Sequence, residues 1–256
     1  MARNPIKIIG VDCAVDRKKV GMAVGLLENG RVRLLYPPPG PEFKWSGAGA
    51  GEIVKWIEGD DPVLLAFDAP LGWPRDLAPG LANHHAGDLV VAKPDKMFHR
   101  KTDDEIKNSL KLRPLEVGAD KIARTAHAAL KLLDEIRGQI RLPIPLAWEP
   151  DDLAKVNVIE VYPAGTLLSH GLEHRCYKGT DSESAACRHS IIQGLRTRMD
   201  LPRKLGILGH DADVLDAVVC VLAGVDFMTG LAAGPSPGDL ETAKKEGWIW
   251  VRRTNR

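Results

Sequence analysis

The stretch IKIIGVDCAVDRKKVGMAVGLL, residues 6–27, decides the fold. Ile6, Ile8, Ile9 and Val11 are β-branched, the side chains that suit a pleated and buried strand. Asp16 to Lys19 make a short charged turn, and Val20 opens a second apolar run. Asp12 interrupts the first run where a strand should be most buried. A carboxylate taken out of water is costly unless it is paired, hydrogen-bonded or bound to a metal. Taken alone, Asp12 reads as a strand-end residue that caps a turn.

Downstream, Asn29-Gly30 is a strong two-residue hairpin signal. Strands are therefore expected at about 6–13, 20–28 and 31–36. YPPPGP (36–41) ends this meander, because proline cannot donate to a ladder. SGAGAGEIVKWIEG (46–59) reads as a glycine-rich lead-in to a short helix ending at Gly59. The apolar run Val63 to Phe67 reads as a fourth strand that stops at Asp68, followed by a Pro-Leu-Gly turn. Residues 74–115 are irregular and read as a loop-rich insertion with short helices. Ile122, Ala126, Ala129, Leu130, Leu133 and Ile136 then recur at helical spacing. VNVIEV (156–161) is a further strand, closed by Pro163 and a short helix. A helix that Ser182 or Ser184 could cap follows, then a long helix over GHDADVLDAVVCVLAGVDFMTG (209–230). KEGWIWVRR (245–253) reads as a last short strand or a packed arm. No repeat or linker divides the chain. The expectation is one α/β domain over 1–256, a mixed sheet flanked by helices, with the insertion after the fourth strand.

The composition, 44% hydrophobic and 27% charged, is that of a soluble globular protein. Its 35 basic and 34 acidic residues nearly cancel, so no global field marks a nucleic-acid binder. Residues 93–113, with seven Lys or Arg against four acids, are the local candidate for a phosphate-binding surface. Four irregularly spaced cysteines suit reduced thiols better than a disulfide framework. The N-terminus lacks the apolar core of a signal peptide, and the longest apolar stretch carries Asp216 and Asp226. A cytoplasmic protein with no membrane span is expected.

The acids answer the question raised by Asp12. Asp68 ends the fourth strand's apolar run as Asp12 ends the first's, and Asp213 and Asp216 lie three apart on the long helix. If the first and fourth strands are neighbours crossed by that helix, these acids form a cluster. Adjacent carboxylates repel and need a cation or shared protons. Oxygen-only ligands select Mg²⁺ or Mn²⁺ over zinc. Such ions can activate a water and stabilise the leaving oxygen of a phosphodiester. The plainer reading makes Asp68 a turn cap and Asp213 a first-turn acid favoured by the helix dipole. His170, His174, Cys176, Cys187 and His189 match no trusted zinc spacing, and GAGAG (47–51) lacks the Lys-Ser/Thr of a phosphate loop.

IIGVDCA, LLAFDAPLG, FHRKTDDE, VIEVYPA, HDADVLDAVVCVLAG and EGWIWV, in that order, resemble the motif series of the DUF429 family, inferred to be ribonuclease H-like nucleases. The resemblance implies a ribonuclease H-like fold and Asp12, Asp68 and Asp213 or Asp216 as metal ligands, and it names no substrate; the nuclease reading makes nucleic acid (DNA or RNA) the expected partner and Mg²⁺ or Mn²⁺ the expected ion. The resemblance also brings in RKTD, with Arg100 suited to hold a phosphate and Thr102 and Asp103 beside it. The same residues read equally as a helix N-terminus capped by Thr102 or Asp103. Glu160 either joins the carboxylates, pairs with Arg100, or is a solvated strand residue.

Three functions compete. One is a metal-dependent nuclease working through the carboxylate cluster. The second is a phosphotransferase of the actin and sugar-kinase type, for which DCAVDRKKVG (12–21) lacks the expected Gly-Thr or Gly-Ser. The third is a non-catalytic module that binds nucleic acid or a partner through residues 93–113.

Overall fold

The computed structural model describes residues 5–37, 49–118, 120–203 and 206–254. The proline-rich end of the meander beyond Pro37 and the glycine-rich lead-in before Gly49 lie outside these residues. Strand β1 (Ile6–Asp12) passes through a 3-10 turn (Arg17–Lys19) into β2 (Gly21–Glu28). Asn29 and Gly30, with φ of 50° and 77°, turn the chain into β3 (Arg31–Tyr36). Both turn residues need positive φ, which asparagine and glycine tolerate best. Helix α1 (Ala50–Ile57) leads to β4 (Val63–Asp68). The insertion holds three helices: α2 (Leu77–Leu81), α3 (Pro94–Phe98) and α4 (Lys101–Leu110). Next come α5 (Asp120–Ile140), β5 (Val156–Glu160), α6 (Pro163–Ser169) and α7 (Ser182–Leu195). The chain ends through α8 (Gly206–His210), α9 (Ala212–Met228), β6 (Ala232–Ala233), α10 (Leu240–Glu246) and β7 (Val251–Arg252). The cap of α7 is Asp181, not Ser182 or Ser184: its carboxylate accepts from the Ser184 N–H.

The main sheet has the order β3-β2-β1-β4-β5. β1, β2 and β3 pair antiparallel, whereas β4 runs parallel to both β1 and β5. Side chains alternate across a strand. Ile9 and Val11 of β1 and Val63, Leu65 and Phe67 of β4 therefore face α1 and α5. Ile6 and Ile8, with Leu64 and Ala66, face α9. Helix α9 is buried along its length from Val214 to Met228, as a helix apolar on nearly all sides must be.

Glycines set how closely α9 approaches. A Cβ on Gly10 of β1 would lie 2.0 Å from the Ala217 carbonyl oxygen, and one on Gly21 of β2 would lie 2.0 Å from that of Asp213. The backbone of α9 thus lies directly on the strands, with no side chain between them. Among the described residues no helix is long and apolar enough to cross a membrane.

Candidate metal centre

The parallel register of β1 and β4 pairs Asp12 with Asp68. Both acids end their strands on the face that carries α9. Asp216, on the second turn of α9, reaches the same point, because Gly10 lets the helix lie against the strand. One oxygen from each of Asp12, Asp68 and Asp216 lies within 4.8 Å of the other two. Among the described residues no other group of three His, Cys, Asp or Glu side chains comes so close. Asp213, also a candidate ligand, is outside this trio. It sits half-buried in the first turn of α9, where its own N–H donates to the Asp211 cap.

Burial and mutual repulsion make these acids hard to ionise together. Burial, then the charges of Asp68 and Asp216, hold Asp12 well above the usual carboxylate range. Asp68 is pushed up to about 7, first by burial and then by Asp216. Asp216 is raised by burial, while Lys178 and Tyr177 pull it back. Asp213 is also raised, by burial and by Asp211.

Lys178 and Tyr177 come from the loop between α6 and α7, where the sequence carries no periodic signal. The Tyr177 hydroxyl donates to Asp216 Oδ1 at 2.7 Å, and Lys178 Nζ lies 2.7 Å from Asp216 Oδ2. Burial opposes the lysine's charge, but Asp216, Asp68 and Asp12 outweigh it and raise its pKa. Arg188 holds this loop in place by donating to the carbonyls of Tyr177, Gly179 and Gly209. Three carboxylates against one ammonium leave a formal charge of −2, which one divalent cation balances. With oxygen donors only, the site fits a hard ion such as Mg²⁺ or Mn²⁺.

At the second constellation, Arg100, Thr102, Asp103 and Glu160, the structure shows the helix N-terminus and the pairing of Glu160 with Arg100, two of the readings left open by the sequence. All four are buried, and Arg100 is bonded to both Asp103 and Glu160. Arg100 Nη1 and Nη2 donate to the two oxygens of Glu160 at 2.9 and 2.8 Å. Nε and Nη2 donate to Asp103, and Nη1 also donates to the Glu246 carbonyl. All five N–H donors of the guanidinium are therefore in use, and none remains for a ligand. Thr102 Oγ1 accepts from the Ile249 N–H. Asp103 accepts from the Arg100 N–H and caps α4.

This knot joins the insertion, β5 and the C-terminal tail to the turn after Asp68. Glu160 Oε2 accepts from the Leu71 N–H at 2.9 Å, and the Trp250 N–H donates to the Glu160 carbonyl. Gly247, at φ 83°, has no room for a side chain, since a Cβ would lie 2.8 Å from Glu160 Oε2. Arg100 and Glu160 thus act on the carboxylate site indirectly, by fixing the Pro70-Leu71-Gly72 turn that follows Asp68. His170, set aside as a zinc ligand by its spacing, pairs with Asp226 at 2.7 Å and accepts from Arg198.

The sequence profile of the family described as "Protein of unknown function (DUF429)" matches residues 10–241. Neither the curated proteins nor the solved structures contain a match.

Proposed function

We take as premise that the chain belongs to the DUF429 family, and we propose that it is a divalent-metal-dependent phosphodiesterase acting on nucleic acid, built on a ribonuclease H-like sheet. The observation that carries this reading is the meeting of Asp12, Asp68 and Asp216 within 4.8 Å. The strand order, with three antiparallel strands followed by two parallel ones, supports the ribonuclease H-like assignment.

Asp12, Asp68 and Asp216 would hold Mg²⁺ or Mn²⁺, with Asp213 one helical turn away as a further acid. When bound, the ion supplies an activated water and charge compensation at a phosphoryl oxygen. The chain's own residues do the rest. Asp12 and Asp68, fixed in register by the ladder, present their oxygens without rearrangement. Tyr177 orients the Asp216 carboxylate through its hydroxyl. Lys178 neutralises Asp216 and, when released from it, offers an ammonium to a phosphate oxygen.

A panel of single- and double-stranded DNA and RNA, assayed in Mg²⁺ and in Mn²⁺, tests the reading. Wild type should cleave at least one member, and Asp12→Asn should lose more than the ~10²–10³-fold typical of a single electrostatic contact. A wild type that cuts nothing on that panel refutes it. The ion pair of Lys178 with Asp216 favours one second reading, a non-catalytic module whose lysine satisfies the carboxylates permanently. That module would bind nucleic acid with no response to divalent ions.

A further inference from the structure

A pocket of about 440 Å³ opens at the end of β1, on the α5 side of the sheet, opposite the face that carries the carboxylates. Its wall is made by Cys13 and the residues after it on one side, and by α5 on the other. Arg17, Arg124, His127 and Lys131 line it, and no Asp or Glu does. Arg124, His127 and Lys131 are exposed and spaced so that they share one face of α5. Lys121, one turn earlier, extends the same face. The apolar floor includes Ala14, Val15, Ala128 and Leu132, with Val15 57% exposed at its edge.

The pocket is tied to the carboxylate site by the 3-10 turn of Arg17, Lys18 and Lys19. Arg17 points toward α5, with its guanidinium 2.6 Å from Glu135. Gly21, two residues after Lys19, lies directly against the Asp213 carbonyl at the start of α9. Cys13, in the pocket wall, follows Asp12 directly in the chain. A run of cations therefore leads from α5 over the turn to the edge of the acidic cluster. Arg17 is compensated by Glu135, but among the described residues Lys121, Arg124 and Lys131 form no ion pair, and a polyanion relieves their mutual repulsion.

We propose that this groove, formed by the β1–β2 turn and the Lys121, Arg124, His127 and Lys131 face of α5, holds the phosphate backbone of a nucleic-acid strand that enters the carboxylate site. The proposal rests on the nuclease reading for the destination of the strand, while the groove itself is tested by binding alone. Arg124 and Lys131 contact successive phosphates, and the apolar floor packs against sugars or base edges. This places the strand on a surface different from residues 93–113, where Arg100 is buried and Lys101 is paired with Asp239.

The test is the equilibrium binding of labelled single-stranded DNA and RNA 20-mers in EDTA, across a salt series. Three proteins are compared: wild type, R124A/K131A, and K96A/K107A from the 93–113 surface. Arg124, Lys131, Lys96 and Lys107 are all exposed, and alanine favours a helix at each, so all three proteins should fold. Melting curves check this. The R124A/K131A variant should bind at least tenfold more weakly at 50 mM salt. Its slope of log K against log salt should flatten by about 1.4, from ~0.7 per lost contact to a single strand. The K96A/K107A variant should bind like wild type, and the melting shift caused by Mn²⁺ should be the same in all three. The proposal is overturned if R124A/K131A binds as wild type does, if the loss falls on K96A/K107A, or if wild type binds neither strand. Binding lost with R124A/K131A in a protein that cleaves nothing would uphold the groove and sink the nuclease reading. Cleavage with unaltered binding by R124A/K131A would do the reverse.

Discussion

Replacing Arg100 by Met tests the buried knot in a way that can be worked out from its contacts. Arg100 is 1% exposed, and its partners Asp103 and Glu160 are 4% and 2% exposed. Met matches the stem but leaves two buried carboxylates without a cation. Removing one partner of a buried pair typically costs about 3–5 kcal/mol. An independent bound comes from protonation. Glu160 is already raised by burial, with Arg100 pulling it down. Without Arg100 it takes up a proton rather than stay charged. Protonating a glutamate of ordinary pKa ~4.3 costs about 3.7 kcal/mol at pH 7, at 1.36 kcal/mol per pH unit, but only about 1 kcal/mol at pH 5. The sign follows. In the variant Glu160 has a folded-state pKa above its unfolded value, so the folded state binds the extra proton. The deficit therefore grows as pH rises from about 4 and shrinks in acid. Urea melts of wild type and Arg100→Met at pH 5 and pH 7 should give losses of about 1 and about 4 kcal/mol. The pH 7 value corresponds to roughly 8–16 °C in Tm, at ~2–4 °C per kcal/mol for a chain of this size. A loss below 1 kcal/mol at pH 7, or one that does not change with pH, would refute the reasoning.

Further outcomes follow from the carboxylate site. Asp12→Asn should raise the melting temperature in EDTA by removing one repelling charge, and should abolish the stabilisation that Mn²⁺ gives wild type; an unchanged Mn²⁺ response would remove Asp12 from the ligand set. With Asp68 at about 7 in the folded state against an ordinary value of 3.8, metal-free protein should lose stability as pH rises from about 4 to about 7, and millimolar Mg²⁺ should flatten that slope. Thermal melts with and without EDTA at half-unit pH steps read both effects. Gly10→Ala should push α9 off the sheet, since the new Cβ meets the Ala217 carbonyl; circular dichroism melts should show a loss of several degrees, and the Mn²⁺ shift should fall with it.

Much of this was legible in the sequence for a definite physical reason. Asp12 and Asp68 each stop an apolar run, and a carboxylate at the end of a buried strand is anomalous enough to mark a site. Asn29-Gly30 marked the hairpin and the apolar run at Val63 marked β4, while the place of β4 beside β1 was a supposition that the acids suggested and the parallel ladder bears out. The distinction between Asp213 and Asp216 was not legible. Both lie on one face of α9, and only the close packing permitted by Gly10 and Gly21 decides which reaches the trio. The choice between a phosphate-holding and a paired Arg100 was not legible, because RKTD has the same composition whether it meets solvent or closes on a strand residue 60 positions away. Tyr177 and Lys178 went unnoticed in a loop with no period. The cationic groove escaped because its two walls, residues 17–19 and α5, are far apart in sequence, and the polar face of a helix reads as a solvated one.

The central claim is that Asp12, Asp68 and Asp216 hold a divalent cation, and anomalous diffraction from crystals soaked in Mn²⁺ tests it most directly. The account predicts a Mn²⁺ peak bonded to oxygens of all three carboxylates, with Lys178 Nζ withdrawn from its 2.7 Å contact with Asp216. Density showing Lys178 still seated on Asp216, with no anomalous peak among the three acids at millimolar Mn²⁺, would contradict it.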